Sequence, residues 1–561
     1  MVKRILHLLS KEIRGLHEAA YLLGFCAILA QVLSLVRDRL FAYYFGAGPT
    51  LDLYYSAFRI PDMIFVTIAS MVSISVLVPF FIERVEKDFE EGKRFINALF
   101  STFCISIVVI SVIVFFFVPY LLPIVLPGFK GSPQLPELIT LTRILLLSPI
   151  FLGISNFLAS ITQMYNRFFI YAVSPLLYNF GIVCGTVFLY PKFGVYGLVY
   201  GVLFGALLHM LIQVPFVYGK GLLPVFKFHF DIKSIREVVL VSLPRTLTLS
   251  SSQIAIFFLI AFASLMGVGS ISIFNFSLNL QSVPLAIIGV SYSSAVFPLL
   301  TRLFSAKKYD EFVERIVVSA QHIIFWSVPV TVLFIVLRAQ IVRTILGAGQ
   351  FSWSDTRLTA ASLALFTVSV VGQSLVLLFV RAYYSGGKTW KPLWINILSS
   401  AVIVFVGYGL IQLFTAVPLF RYFIESLFKV SDVPGTVVLM LPLAYSIGVF
   451  VNTVLHWWSF RRDFAGFSTP VFSTFFQSVC ASVIMGYVSY LFLNVFGQIF
   501  NLKTLLGIFL QGFCAGITGI VVGIAILFLL KSKELHQVWT ALHQKIWKAQ
   551  IVGVDSTETT L

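Results

Sequence analysis

Runs of about twenty apolar residues recur along nearly the whole chain, among them Phe100 to Val118, Val328 to Leu337 with its flanks, Ala401 to Phe414 and Leu505 to Leu530. A run of that length crosses the roughly 30 Å hydrocarbon core of a bilayer as one helix. The runs are continuous rather than alternating, and hydrocarbon holds no water to satisfy backbone groups, so they read as helices and not as barrel strands. Fourteen spans follow, at residues 20–36, 61–82, 97–126, 138–160, 169–190, 194–217, 238–265, 271–298, 318–337, 358–380, 392–414, 436–458, 470–496 and 504–530. Composition agrees: 59% of residues are hydrophobic and 11% charged, against about 25% charged in soluble domains. The expected fold class is an all-α polytopic membrane protein of about fourteen transmembrane helices. Between the spans nothing is long enough for a soluble domain, so water-facing chemistry falls to loops, helix ends or an internal cavity. That argues against an enzyme, and no acyl-transfer, zinc-hydrolase or P-loop signature stands where those chemistries need one.

The net charge of +16 does not form one patch. With the N-terminus placed inside, 26 of the 39 Lys and Arg fall in cytoplasmic segments, 11 in the opposite loops, and Arg143 and Arg245 within spans. This is the asymmetry that orients membrane proteins, so both termini are expected in the cytoplasm and no nucleic-acid partner is expected. The first apolar segment lacks a small-residue cleavage site and runs into Arg37-Asp38-Arg39, which marks it as a retained span. Residues 1–19 read as an interfacial amphipathic segment, with Ile5, Leu8 and Leu9 beside Lys3, Arg4, Lys11 and Arg14; a similar stripe follows Leu530. Cys26, Cys104, Cys184, Cys480 and Cys514 lie apart within apolar spans, so neither a disulfide framework nor a metal site is indicated. No cofactor is expected.

The chain also repeats itself. Gly46-Ala47-Gly48, Pro61 and Val78-Pro79-Phe80 return about 220 residues later as Gly267-Val268-Gly269, Pro284 and Phe297-Pro298-Leu299. Six helices separate the copies, so helix direction is kept and the repeats are parallel, related by an axis along the membrane normal. The expected plan is a first lobe at residues 20–219, a second at 220–460, two further helices at 461–530 and a cytoplasmic tail at 531–561. Such lobes form a cavity at their interface.

Ionisable groups inside spans are costly and therefore informative. The densest set is Arg37-Asp38-Arg39, Asp52, Arg59 and Asp62 around the first outer link. Arg37 and Arg59 are either docking forks for a phosphate, which a guanidinium meets bidentately, or ion pairs pinning helix ends; Arg39 favours the second reading. Arg245 follows Pro244 in the run Ser242 to Gln253, and either lines a cavity or snorkels to headgroups. Asn275, Asn279 and Gln281 on one helix offer neutral hydrogen bonds to a sugar or amide, or glue helices together.

These residues resemble a known family. Val36-Arg37-Asp38, Phe45 to Gly48, Asp52 and Ala57-Phe58-Arg59-Ile60-Pro61 are similar to the opening motif of the MurJ lipid II flippases, within the multidrug/oligosaccharidyl-lipid/polysaccharide exporter superfamily. Tyr165-Asn166-Arg167-Phe168, Pro175 to Asn179, Phe193 to Leu198, Leu243-Pro244-Arg245, Asn279 to Leu285 and Phe297-Pro298 continue the likeness, which runs from about residue 20 to 400 and fades through the last helices. The resemblance implies a monomeric, multi-pass protein of the bacterial cytoplasmic membrane. It would move undecaprenyl-pyrophosphate-linked disaccharide peptide outward by alternating access, with the headgroup in a basic cavity and the lipid tail along the last two helices. Export of another polyprenyl-pyrophosphate-linked glycan, or drug/cation antiport, are the alternatives. The implied substrate-binding set is Arg37, Asp38, Asp52, Arg59, Arg245, Asn275, Asn279 and Gln281, together with Gln31, which stands where the family carries an arginine. An Asp-Arg pair of the family reads Leu278-Asn279 here. The family's Asp-Thr-x-Thr-Pro stands as Lys388-Thr389-Trp390-Lys391-Pro392. Lys388 is therefore expected to supply, as a tethered ammonium, the charge that sodium brings in relatives, making coupling sodium-independent.

Overall fold

The computed structural model describes residues 16–69, 74–226, 232–464 and 467–547. The interfacial segment expected at the N-terminus lies outside the described residues apart from its last few, and so does the end of the tail. The chain opens with α1 (Leu16–Phe45), then α2 (Pro49–Ala57), α3 (Arg59–Ile64), α4 (Ile74–Lys87), α5 (Phe89–Val125), α6 (Leu135–Leu145) and α7 (Leu147–Met164). After these come α8 (Phe168–Cys184), α9 (Tyr190–Phe193), α10 (Val195–Leu211) and α11 (Val214–Gly219). The second copy holds α12 (Ile232–Ser264), α13 (Ser270–Pro284), α14 (Ser291–Ser305), α15 (Tyr309–Val336), α16 (Arg338–Leu346), α17 (Trp353–Thr367) and α18 (Ser369–Ser385). It continues with α19 (Trp390–Ala416), α20 (Pro418–Phe428) and α21 (Met440–Asp463), and the chain finishes with α22 (Ser468–Ile499), α23 (Leu505–Leu529) and α24 (Lys533–Trp547).

The protein is an all-helical multi-pass membrane protein. Among the described residues eleven helices are long and apolar enough to cross a bilayer, or twelve when the pair α17 and α18, bent by 40°, is taken as one span. The expected count of fourteen is consistent with this, because α1 and the broken series α2 to α4 occupy the first two predicted spans. Where the helices break, the cause is local. The span expected at 138–160 divides at Leu146, since Pro149 has no N–H to give and its ring crowds the carbonyl of Leu145 four residues back. Asp88 starts α5 earlier than expected, its Oδ1 accepting from the Glu90 amide at 3.1 Å.

The repeat is visible in the backbone. Pro61 is followed by a π turn at Phe65–Ala69 and Pro284 by one at Leu285–Val290, the same offset that separates the two Gly-x-Gly links. Such one-turn bulges bend a helix and concentrate at working sites. Helix α1 packs mainly on α8, and α8 on α10, while α12 packs on α19, α19 on α21 and α13 on α17. The last pair, α22 and α23, lies against α15 and α16. The tail helix α24 is pinned by the buried Glu534 carboxylate, which accepts from Thr474 Oγ1 at 2.6 Å and Ser532 Oγ at 2.8 Å. Call the end at which α1 starts the near end, and the end by Gly46 the far end. The functional residues gather where the two copies meet, from the far end to about half depth.

Candidate functional site

Helix α1 carries its charges two turns below its far terminus. Arg37 there forks onto Asp38, Nε at 3.0 Å and Nη2 at 2.8 Å from the same Oδ1, while Nη1 donates to Asn179 Oδ1 at 3.0 Å and Nη2 to Ser34 Oγ at 3.1 Å. The Asp38 carboxylate is 1% accessible, so it must be paired to remain there charged. Its other oxygen accepts from Asn279 Nδ2 on α13 at 3.0 Å. Asn179, Arg37, Asp38 and Asn279 thus form one chain of hydrogen bonds that crosses from the first copy to the second. In this structure Arg37 is taken up by this chain.

Asp52 does something its sequence did not announce. One carboxylate oxygen accepts from the Gly269 amide at 2.6 Å, the other from the Ser272 amide at 2.8 Å and Ser272 Oγ at 2.7 Å. These amides open α13, so a residue 217 positions upstream caps that helix. The helix N-terminus and the carboxylate attract each other as charge and dipole. Arg39 does the converse at the other pole: Nη1 donates to the carbonyls of Thr344 at 2.6 Å and Ile345 at 3.1 Å, at the C-terminal end of α16. Its pinning role agrees with its sequence reading.

Backbones meet here as well. The Gln350 amide donates to the Tyr43 carbonyl at 3.0 Å, and a Cβ on Gly269 would stand 2.3 Å from the Ala47 carbonyl oxygen, with φ at +89° besides. Only glycine fits that approach and that angle. The Gly-x-Gly spacing was the sequence signal for it, although nothing in the spacing says which strand of chain comes so close.

Deeper in, Arg59 donates through Nε to the Tyr55 carbonyl at 3.0 Å and through Nη2 to Asn275 Oδ1 at 3.2 Å; Asn275 returns its amide to the Ile271 carbonyl at 2.7 Å. Among the described residues Nη1 has no partner, so the guanidinium keeps part of its fork free. Gln281 is buried with Nε2 unpartnered, and Gln31 reaches Ser282 Oγ at 3.5 Å. Arg245 lies on α12, and its side chain is outside the described residues. Arg143, the other basic residue expected within a span, donates through Nε to the Phe115 carbonyl at 3.1 Å, away from these residues.

Lys388 is not gathered into this site. It stands exposed at the near end with its ammonium 5.8 Å from the Phe464 ring. The ammonium that meets a carboxylate is three residues on, where Lys391 Nζ lies 2.6 and 2.8 Å from the two oxygens of Asp463, which also accepts from Tyr383 at 3.1 Å. Also at the near end the copies approach through Arg84 of α4 and Glu237 of α12, 3.3 Å apart, the first half-buried and the second exposed. Among the described residues no group of three or more His, Cys, Asp and Glu is placed to hold a metal ion.

The arrangement is a clasp, made largely of hydrogen bonds whose donors and acceptors sit on different copies of the repeat. A sequence profile of the family described as lipid II flippase MurJ matches residues 41–510. The chain belongs to that family. The match extends through α22 into α23, beyond residue 400 where the resemblance of the motifs faded. A probable lipid II flippase MurJ of Buchnera aphidicola subsp. Schizaphis graminum is 26% identical over 520 residues, 90% of this chain and 95% of the relative. The lipid II flippase MurJ of Burkholderia cenocepacia is 23% identical, covering 66% and 73%. Among solved structures, a lipid II flippase MurJ in an inward closed conformation superposes with a TM-score of 0.72 at 22% identity, over 92% of this chain and all of that one. An inward-facing multidrug resistance transporter of the MATE family and MOP superfamily follows at 0.62 and 14%, over 79% and 98%. At those identities the structural likeness speaks for the fold.

Proposed function

We propose that this protein carries lipid II, an undecaprenyl-pyrophosphate-linked disaccharide peptide, outward across the bacterial cytoplasmic membrane by alternating access, as a monomer with both termini inside. The family match over residues 41–510 carries this reading. On the proposed orientation the far end is the outer side, and the bonds around Asp52, Asp38 and Arg39 are an outer gate in its closed state. The halves 20–219 and 220–460 then rock about their interface, with residues 461–530 guiding the lipid tail. Work is done by binding and movement, not by bond chemistry on the substrate.

The residues divide into two tasks. Arg59, with one nitrogen free, and the amides of Asn275 and Gln281 are offered to the pyrophosphate and sugar; Arg245 is proposed beside them. Arg37, Asp38, Asn279, Gln31 and Asp52 hold the gate, and exchanging the family's Asp-Arg pair for Leu278-Asn279 leaves Asp38 with a neutral partner across the interface. Moving an anion out of a negative cytoplasm gains about 2.3 kcal/mol per charge per 100 mV, and an empty cationic site is drawn back inward by the same field. Coupling is proposed to be independent of sodium, the ammonium that neutralises Asp463 being that of Lys391 rather than Lys388.

The test is rescue of a strain depleted of its own flippase, joined to a lipid II translocation assay in proteoliposomes. The expected result is rescue by the wild type, failure of Arg59→Ala with normal membrane levels, and flipping unchanged when sodium is replaced by choline. Absence of lipid II movement from proteoliposomes that move another polyprenyl-pyrophosphate glycan would redirect the proposal to that substrate.

A further inference from the structure

Away from the clasp, on the lipid-facing side of the second copy, a cleft of about 600 Å³ opens between α15 to α17, the end of α20, and the last pair α22 and α23. Its polarity is graded along the membrane normal. Toward mid-depth the walls are apolar, with Val332 and Val336 on α15 and Val483 and Tyr487 on α22. Toward the far end they carry Arg338, Arg357 and Lys429, and no carboxylate lines the cleft. Helix α15 has 28 residues, about 42 Å at 1.5 Å each, so Arg338 just past its end stands at headgroup depth.

The three cations are not equivalent. Arg357 is spent: it forks onto Asp432 at 2.6 and 2.7 Å and onto the Lys429 carbonyl, which fixes Lys429 in the left-handed region at φ +57°. Among the described residues Arg338 is held by one bond, Nη1 to the Ile335 carbonyl at 2.8 Å, and meets no acidic partner. Val483 and Tyr487 on the rim are about 60% accessible, so the cleft is entered from the lipid and not from between the halves.

We propose that this cleft binds an anionic phospholipid of the far leaflet, its phosphodiester between Arg338 and Lys429 and one acyl chain along Val332, Val336 and Val483. Charge selects the occupant: after Asp432 is set against Arg357, two cations remain for one phosphate, and guanidinium meets phosphate bidentately. Depth selects it too, since a phosphate at the headgroup level with a chain directed to mid-depth is the ordinary posture of a bilayer lipid. The site is nonetheless one short helix away from the clasp: Arg338 begins α16, and the carbonyls that Arg39 grips end it.

The test is native mass spectrometry of the full-length protein released from nanodiscs of phosphatidylglycerol and phosphatidylcholine in equal amounts. The wild type is expected to retain one phosphatidylglycerol in preference to phosphatidylcholine. Arg338→Gln with Lys429→Gln is expected to retain about tenfold less, the loss of one charge-assisted contact at the least, and Arg338→Lys to keep most of it. Lys429→Gln alone, in a loop, gives an intermediate loss should the double variant melt early. Equal phosphatidylglycerol retention by wild type and variants, or equal retention of the two lipids by the wild type, overturns the proposal. So does a variant that loses co-purified polyprenyl pyrophosphate while its phospholipid is unchanged, which would assign the cleft to the substrate.

Discussion

At the far end the two copies of the repeat meet through buried carboxylates, a capped helix and a contact that admits no Cβ; at the near end the described residues place Arg84 beside Glu237, an ion pair partly open to solvent. The difference is one of cost to undo. Buried, charge-assisted bonds contribute about 1.5–3 kcal/mol each, whereas exposed ion pairs contribute about 0–1 kcal/mol and are screened by salt. One interface therefore holds a state and the other releases it, which is what a carrier resting with one side shut requires.

Substitutions should separate the two ends by size of effect. Gly269→Val asks the backbone to accept a Cβ 2.3 Å from the Ala47 oxygen at a positive φ. Far-end closure should be lost altogether, seen as failed rescue of a depleted strain at normal membrane levels; rescue would mean the close approach is dispensable. Asp52→Ala removes three acceptor bonds at the start of α13 and, at about 2 kcal/mol for a lost cap, should raise the far-open population about thirtyfold. Asp38→Asn keeps the bond to Asn279 within reach but takes the counterion from Arg37. An increase of about tenfold is expected in labelling of a cysteine placed behind the gate. Arg84→Ala should change the same labelling by no more than about fivefold, an effect that disappears in 0.5 M salt on the order expected for screening at about 4 Å. A larger, salt-resistant response at Arg84 would break the comparison.

Much of the fold was legible because hydrocarbon leaves a chain so few choices: the spans announce themselves by apolarity, and the repeat by glycine and proline. The breaks were less legible. Pro149 warned of one, but the π turns after Pro61 and Pro284 depend on how a whole helix packs. Of the charged residues singled out near the first outer link, Asp38, Arg39, Asp52 and Arg59 each bond to the second copy. Their partners were hidden. Asp52 finds amides more than two hundred residues away, Arg39 finds carbonyls, and neither type of partner has a sequence signature. Lys388 and Lys391 differ by less than one helical turn, and only the position of Asp463 on α21 decides which of them is paired.

The claim on which the rest depends is that the bonds around Asp52 hold the far ends of the two halves together. Spin labels at Lys192 and Val268, both exposed at the far end on opposite halves, measure this by electron–electron distance in proteoliposomes, with the five native cysteines replaced. The account predicts one short-distance population in the wild-type background and a second, longer population that dominates in Asp52→Ala. Identical distance distributions in the two proteins would contradict it.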